Sequence, residues 1–332
     1  MPAAAEPQPT VTVVIPMRNE GTSIEACLAS ICASQLAPGD SMEVLVLDGE
    51  STDDSPARVR AIAAVDPRVQ LLHNPERLQA AAFNHGLACA RGRYLVRMDA
   101  HSLYAADYIS ESLRLLESTG AANVGGVQRA AGNNWVSRAI AAAVSSRFAA
   151  GDAKYRHATK AGFTDTVYLG AWRTETLRKL GGMRPDWAVN EDYEMNVRLR
   201  DTGGRVYLSP TIRSTYFVRG SLSKLTRQYA RYGFWKVRTL TEHPGSVRWR
   251  QLVPPAFVLS VLATPLFVAQ FGWLGVAHLG LYLAASLLSS AILAADQGTT
   301  LFPLLPVVFA IIHFSWGSGF LAGLAYWPLK RR

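Results

Sequence analysis

Between Arg250 and Lys330 a single formal charge, Asp296, interrupts a long and largely apolar run of chain. Such a stretch has no ionic residues from which to build a solvated outer face, so a bilayer is its natural solvent. Three segments within it, residues 252–271, 273–293 and 301–326, each approach the ~20 residues that a spanning helix needs. Arg248 and Arg250 precede the first, and Lys330, Arg331 and Arg332 follow the last. Positive charge marks the cytoplasmic side, so both ends belong there and the number of crossings is even. Three segments give an odd number. The segment 252–271, which carries Pro254, Pro255 and Pro265, is therefore expected to be re-entrant or interfacial.

The remainder can form a full soluble core. At 332 residues the chain exceeds one average domain. Its 34 basic and 25 acidic residues give a net charge of +9. The tail holds three basic residues and one acid, +2, which leaves +7 on residues 1–250. A basic soluble part beside an apolar tail suits anionic lipid or an anionic substrate. Nucleic acid would suit the sign equally, but no recognition motif accompanies it. Cys27, Cys32 and Cys89 are odd in number, widely placed and without metal-ligand spacing, which fits a reducing compartment. Residues 1–10 are rich in Ala and Pro and lack the apolar core of a signal peptide; a disordered tail is expected there.

From residue 11 the pattern alternates. Residues 11–16 are a short β-branched strand, ending in Arg18, Asn19 and Glu20. Thr22 to Glu25 has the form of a capping box, followed by Ile24, Cys27, Leu28 and Ile31 at helical spacing. A second strand, 42–47, ends in Asp48, and turn residues lead into a helix that runs to about Val65. A third strand covers 69–72, a helix 78–90, and a fourth strand 93–99. Strands alternating with helices across tight loops predict an α/β fold with a doubly wound, mostly parallel sheet. Beyond it a helix follows Asp107, a strand covers 123–128, and a helix and loop cover 135–158. A strand at 166–172 and a helix at 174–180 come next. Asn190-Glu191-Asp192-Tyr193-Glu194 opens another helix, and short strands are expected at 206–208 and 212–217.

The fourth strand carries the densest chemistry. Its apolar character stops at Asp99, and His101 follows two residues later. Side chains at i and i+2 of an extended chain point the same way, so a carboxylate and an imidazole can share one divalent cation, Mn²⁺ or Mg²⁺. An isolated Asp-x-His is more often a surface turn. Here Glu20, Asp48 and Asp99 all leave strand ends at the edge where open α/β sheets place ligands. No Gly-x-Gly-x-x-Gly follows the first strand, which argues against a dinucleotide fold, and no Gly-Lys-Ser/Thr loop occurs, which excludes a P-loop. Metal and cationic side chains must then hold any phosphates. Acids in the first turn of a helix are ordinary dipole partners, and this bland reading stands beside a catalytic one for Glu191, Asp192 and Glu194. From residue 221 to 241, Lys224, Arg227, Arg231, Lys236 and Arg238 interleave with Tyr229, Tyr232, Phe234 and Trp235, the composition of an interfacial helix or of a solvated basic face.

Taken together, residues 11–240 resemble glycosyltransferase family 2, whose nucleotide-sugar-binding fold is called GT-A. Val13-Val14-Ile15-Pro16-Met17-Arg18-Asn19-Glu20 resembles the family's opening strand. Leu47-Asp48-Gly49-Glu50-Ser51-Thr52-Asp53-Asp54 resembles its second acidic element. Met98-Asp99-Ala100-His101 stands where Asp-x-Asp is usual, and Asn190-Glu191-Asp192-Tyr193-Glu194 resembles its Glu-Asp element. Gln228-Tyr229-Ala230-Arg231-Tyr232 is similar to Gln-x-x-Arg-Trp, with Tyr232 in place of Trp. Asp165-Thr166-Val167-Tyr168-Leu169-Gly170 and the tail add a resemblance to succinoglycan-type glucosyltransferases of exopolysaccharide synthesis.

The resemblance implies an inverting hexosyltransferase that moves a sugar, glucose from a UDP-linked donor, to a lipid-linked saccharide at the cytoplasmic face of the membrane. Glu20 and Asp48 would contact the nucleoside, Asp99 and His101 would hold the metal on the diphosphate, and Asp192 would be the catalytic base. Gln228 and Arg231 would assist with pyrophosphate or acceptor. Transfer to polyprenyl phosphate itself, and a non-catalytic nucleotide-sugar-binding membrane protein, are the alternatives; a nucleotidyltransferase is disfavoured by Met17-Arg18-Asn19-Glu20-Gly21 after the first strand. The expected organisation is a tail over 1–10, a glycosyltransferase domain over 11–220, a basic aromatic interfacial helix over 221–250 and a transmembrane region over 251–332.

Overall fold

The structure, a computed structural model, describes residues 8–218 and 220–329. Most of the expected N-terminal tail and the basic C-terminal end, Lys330 to Arg332, lie outside the described residues. The chain divides into two compact units, one of residues 1–129 with 158–216 and the other of residues 130–157 with 217–332.

The first unit is built on a sheet. In chain order its elements begin β1 (Val11–Met17), α1 (Ile24–Cys32), β2 (Met42–Asp48), α2 (Ser55–Ala63), β3 (Val69–His73) and α3 (Gln79–Cys89). They continue with β4 (Tyr94–Arg97), β5 (Ser102–Tyr104), α4 (Tyr108–Thr119) and β6 (Asn123–Ala131). After α5 (Trp135–Ser145), α6 (Arg147–Ala150) and α7 (Lys154–His157), which belong to the second unit, come β7 (Gly162–Thr164), β8 (Tyr168–Arg173), α8 (Thr174–Leu180), α9 (Glu191–Asp201) and β9 (Val206–Phe217). The strands form one sheet in the order β3-β2-β1-β4-β8-β6-β9-β5, with β7 on β9. β3, β2, β1 and β4 are mutually parallel, and β8 joins β4 antiparallel.

Val11, Val13, Val14 and Ile15 are each 0% exposed. Consecutive strand residues point to opposite faces, so both faces of β1 are covered, and this is why the strand reads as an unbroken apolar run. Met17 pairs with Asp48 and Val14 with Arg97, so the chain following β1, β2 and β4 emerges along one edge. β8 runs the other way, placing Gly170 opposite Arg97 and bringing Tyr168 to that same edge.

Two local expectations are corrected. The strands expected at 206–208 and 212–217 are one strand, β9. Pro210 sits inside it, half-buried, and its carbonyl accepts from Arg129 Nη2 at 3.1 Å. The capping box at Thr22 does not form: α1 starts after Ser23, whose hydroxyl is turned back onto Glu20. The three cysteines are free thiols, Cys27 buried, Cys32 half-buried and Cys89 exposed.

The second unit is helical. To α5–α7 it adds α10 (Leu222–Glu242), α11 (Val253–Leu262), α12 (Thr264–Phe271), α13 (Ala277–Gln297) and α14 (Leu305–Tyr326). The segment 252–271 is not a single helix. It breaks into helices of 10 and 8 residues, only about 15 and 12 Å long at the helical rise. Pro265 opens the second, and Gly272, at φ 59°, turns the chain so sharply that Gly275 lies against the Phe267–Val268 backbone. The longer apolar run Thr264–Gln297 is therefore not one straight helix. α13 and α14, with 21 and 22 residues, are each long and apolar enough to cross a membrane.

α10 is welded to α14 by glycines. A methyl group on Gly233 would stand 2.0 Å from the Trp316 carbonyl oxygen, and one on Gly319 would stand 2.0 Å from that of Ala230. Gly323 likewise lies under the Phe234 carbonyl, which accepts from Trp327 Nε1 at 2.9 Å. Inside the bundle His313 has both ring nitrogens engaged, Nδ1 with Tyr282 Oη and Nε2 with the Phe148 carbonyl, each at 3.0 Å.

Candidate active site

The loops after β1 and β2 are stitched together. Asn19 and Glu50 both take positive φ, 56° and 55°, the sharp turns that end the two strands. The Asn19 N–H donates to Ser51 Oγ at 2.8 Å, and the Thr52 N–H returns a bond to Asn19 Oδ1 at 2.7 Å. The Glu20 N–H donates to Ser55 Oγ at 2.8 Å and that of Gly21 to Asp53 Oδ2 at 3.0 Å. Much of the Asp48–Asp54 motif is thus spent on shaping the loop. Asp48 itself is buried at the end of β2, with the Ser51 N–H at 3.3 Å from Oδ1.

Asp99 and His101 follow β4 in a turn, closed by the Ser102 N–H to the Asp99 carbonyl at 3.3 Å. The extended backbone expected for this pair is therefore absent, and their side chains are oriented by separate partners. Asp99 Oδ2 accepts from Tyr168 Oη at 3.1 Å, and Oδ1 lies 3.7 Å from Arg97 Nη2. Tyr104 Oη brackets the Asp99 backbone, 2.6 Å from its N–H and 3.1 Å from its carbonyl. His101 Nδ1 lies 3.3 Å from Glu20 Oε1, and its ring meets that of Tyr216 edge to face at 5.1 Å.

Arg97 is the residue that sequence reasoning passed over. It is 5% exposed, and Nη2 stands 3.7 Å from Asp99 and 3.6 Å from Glu191. Gln79, with its amide turned to suit, donates to Glu191 at 3.2 Å and accepts from Arg97. A lone cation inside Leu95-Val96-Arg97-Met98 was the available signal, since a buried charge is almost always paired. Despite burial, the surrounding Asp99, Glu191 and Asp192 carboxylates hold the Arg97 guanidinium above its ordinary pKa. Glu191 moves the other way from an ordinary acid. Burial, then the Asp192 charge, push it up to about 7, against the pull of Arg97.

The three acids at the start of α9 are not equivalent. Glu194 is fully buried and bonded to Arg198 through both oxygens, at 2.7 and 2.9 Å, and Arg198 also ties down the Leu180 and Gly182 carbonyls. That is structural use. Glu191 faces Arg97. Asp192 is half-buried, and its Oδ1 accepts from the Tyr193 N–H at 2.7 Å. Gln228 and Arg231 lie on α10, in the helical unit: Gln228 Nε2 donates to Tyr232 Oη at 2.8 Å, and Arg231 is exposed.

Among the described residues no three His, Cys, Asp or Glu side chains converge into a ready metal cage. The donor set nevertheless fits a divalent ion held partly by its substrate. Asp99 offers oxygen and His101 offers imidazole, and a carboxylate 3.3 Å from Nδ1 is the usual support of a histidine that binds metal through Nε2.

A parallel half-sheet with acids along its carboxyl edge, continued by antiparallel strands, places a polar site where open α/β sheets take their ligands. The family described as Glycosyl transferase family 2 matches residues 12–170. The succinoglycan biosynthesis protein ExoA of Rhizobium meliloti is 31% identical over 310 residues, 93% of each chain. The dolichyl N-acetyl-alpha-D-glucosaminyl phosphate 3-beta-D-2,3-diacetamido-2,3-dideoxy-beta-D-glucuronosyltransferase of Methanococcus voltae is 26% identical over 325 residues, 95% of this chain and 97% of that one. The mannosyltransferase PcManGT of Pyrobaculum calidifontis, solved in complex with GDP-Man and Mn²⁺, shares the fold with a TM-score of 0.59 at 22% identity, over 97% of this chain and 88% of that one. The chain belongs to glycosyltransferase family 2 and has the GT-A-like fold.

Proposed function

We propose that this enzyme transfers a hexose, glucose from a UDP-linked donor, to a lipid-linked saccharide, inverting the anomeric carbon. Asp48 takes the nucleoside at the end of β2. Asp99 and His101 hold Mn²⁺ or Mg²⁺ against the diphosphate, and Gln228 and Arg231 assist with pyrophosphate or acceptor. A bound dication stabilises the negative charge that gathers on the departing diphosphate. Asp192 draws the proton from the acceptor hydroxyl as that oxygen attacks; with Oδ1 on the Tyr193 N–H, Oδ2 is the oxygen assigned to the proton. Glu191, its pKa pushed up to about 7 by burial and then by the Asp192 charge, holds its proton part of the time near neutral pH and so lightens the negative charge beside Asp192.

α13 and α14 cross the bilayer as a pair, which returns both ends of the tail to the cytoplasmic side, where the sheet unit works. The short α11 and α12 lie at or within the interface. A lipid-phosphate-linked acceptor is in keeping with the activity for which the Methanococcus voltae relative is named.

The observation that carries the reading is Arg97, which joins the Asp99 loop to the Glu191-Asp192 helix start and so gathers donor-side and acceptor-side acids at one sheet edge. The test is a donor screen. Detergent-solubilised enzyme is given UDP-glucose, UDP-N-acetylglucosamine, GDP-mannose and membrane lipid extract with Mn²⁺ or Mg²⁺. Diphosphate release and sugar label entering the lipid phase are expected with UDP-glucose. Transfer from another donor would correct the sugar, and metal-independent transfer would remove the metal.

A further inference from the structure

We infer that Glu20 is a positioning residue for the metal site, acting through His101 rather than by touching the donor. The inference rests on the metal reading above and departs from the direct nucleoside contact implied by the motif.

Three observations converge on it. The first is contact. Glu20 Oε1 lies 3.3 Å from His101 Nδ1, and Oε2 accepts from Ser23 Oγ at 3.0 Å, so both carboxylate oxygens are engaged within the protein. The second is rigidity. The Glu20 N–H is held by Ser55 Oγ at 2.8 Å, and its carbonyl accepts from the N–H groups of Ser23 and Ile24, each at 2.9 Å. The residue is thus fastened at once to the start of α2 and to the first turn of α1. A group built to follow a mobile ligand would not be fixed at every polar atom.

The third is parallelism. Asp99 has a partner of the same kind, Tyr168 Oη at 3.1 Å. Tyr216 packs on the His101 ring at 5.1 Å and on the Tyr168 ring at 6.1 Å, so one aromatic side chain braces both supports. Each proposed ligand then has its own orienting group, and the two orienting groups share a wall. The carboxylate does two things for His101. It selects the tautomer with the Nδ1 proton, and its charge makes Nε2 a better electron-pair donor. Because the turn leaves Asp99 and His101 without a common strand to align them, this outside support replaces what an extended backbone would have supplied.

The test is Mn²⁺ binding to the full-length protein in detergent, with UDP present, followed by the electron paramagnetic resonance signal of free Mn²⁺. Glu20→Ala is expected to weaken Mn²⁺ by ~10–100-fold, the usual effect of losing an orienting partner. Glu20→Gln, whose amide oxygen still accepts from Nδ1–H, should recover part of that loss. In a His101→Ala background, Glu20→Ala should add little, since its effect travels through the imidazole. Thermal melting of each variant identifies any that fail to fold, and Glu20→Gln keeps the test alive if Glu20→Ala does. Unchanged Mn²⁺ affinity in Glu20→Ala, with weaker UDP binding in the absence of metal, would overturn the inference and return Glu20 to the donor. Equal and additive losses in both backgrounds would overturn it as well. No Mn²⁺ binding to the wild-type protein would overturn the metal reading itself, and this inference with it.

Discussion

The sheet unit and the helical unit draw on the same apolar residues and use them differently. In β1 the valines and Ile15 are sealed from both sides. In the helical unit Leu266 and Leu281 are each 73% exposed and Trp273 79%. Charge divides the opposite way. The sheet unit buries Glu43, Arg97, Glu191 and Glu194, each against a partner of opposite sign or a hydrogen-bond donor. From α11 to α14 the one formally charged side chain is Asp296. An open sheet covered on both faces has solvent outside and can organise ions within. Helices that leave leucine and tryptophan outward are finished only by another apolar phase, and we assign that phase to the bilayer.

The sharpest way to break this division is to ask whether chemistry and anchoring separate. Asp99→Ala is expected to reduce transfer to background. Asp192→Asn should lower turnover by ~10²–10⁴-fold with donor affinity nearly unchanged, the usual worth of a general base. Both variants should still float with liposomes like the wild type. Diphosphate release and flotation, measured on the same preparations, decide it. Near-normal turnover of Asp192→Asn with a lowered melting temperature would reduce Asp192 to a helix-start residue. Loss of flotation in either variant would mean that the two jobs are not divided between the units.

A smaller effect probes the helical unit alone. At Gly319 a methyl group would meet the Ala230 carbonyl oxygen at 2.0 Å, whereas at Gly280 on α13 nothing lies within 4 Å. Gly319→Leu should therefore cost about 3 kcal/mol, the upper end of ordinary overpacking, as α10 is pushed off α14. Gly280→Leu should be close to neutral. Thermal unfolding in one detergent compares them. Equal losses would mean that α13 is packed against protein rather than lipid.

The two units were also unequally legible in the sequence. The parallel half-sheet could be read because β1, β2 and β4 are short, apolar and separated by turn residues, each followed by an acid. The antiparallel half was harder. β9 contains Pro210, a residue that locally argues against a strand, and only its neighbours in the sheet carry the chain through. Asp99 and His101 were visible as a pair, but their geometry was not, because a turn two residues long is settled by Tyr104, Tyr168 and Glu20, which are distant or unremarkable in sequence. Arg97 was legible as a lone cation in an apolar strand, but its role as a hub was not, because its partner Glu191 is supplied by α9. In the tail, apolar length was legible throughout, while the break between α11 and α12 depended on taking Pro265 at face value.

The smallest expected effect concerns the buried charge that sets the sheet unit apart. Glu191 has an ordinary carboxylate value of 4.5 and is pushed up to about 7 by burial and by Asp192. Below pH 4.5 the folded and unfolded chains both carry its proton, and the site costs nothing. Between the two values the folded chain holds a proton that the unfolded chain has released, so stability falls as pH rises, and the loss is complete above about 7. A raise of this size corresponds to at most ~3 kcal/mol, and relaxation of Arg97 and entry of water should leave about half. Glu191→Gln should remove that part of the slope from pH 4.5 to 7, and Asp192→Asn should remove less, because Asp192 is the second cause and burial the first. Denaturant unfolding across this range reads the slopes directly, and it isolates Glu191 because each variant is compared with wild type at the same pH. If Glu191→Gln keeps the wild-type slope, Glu191 stays ionised against Arg97 throughout. The sheet unit would then hold a full buried ion pair beside Asp192, and the base would work next to a permanent negative charge.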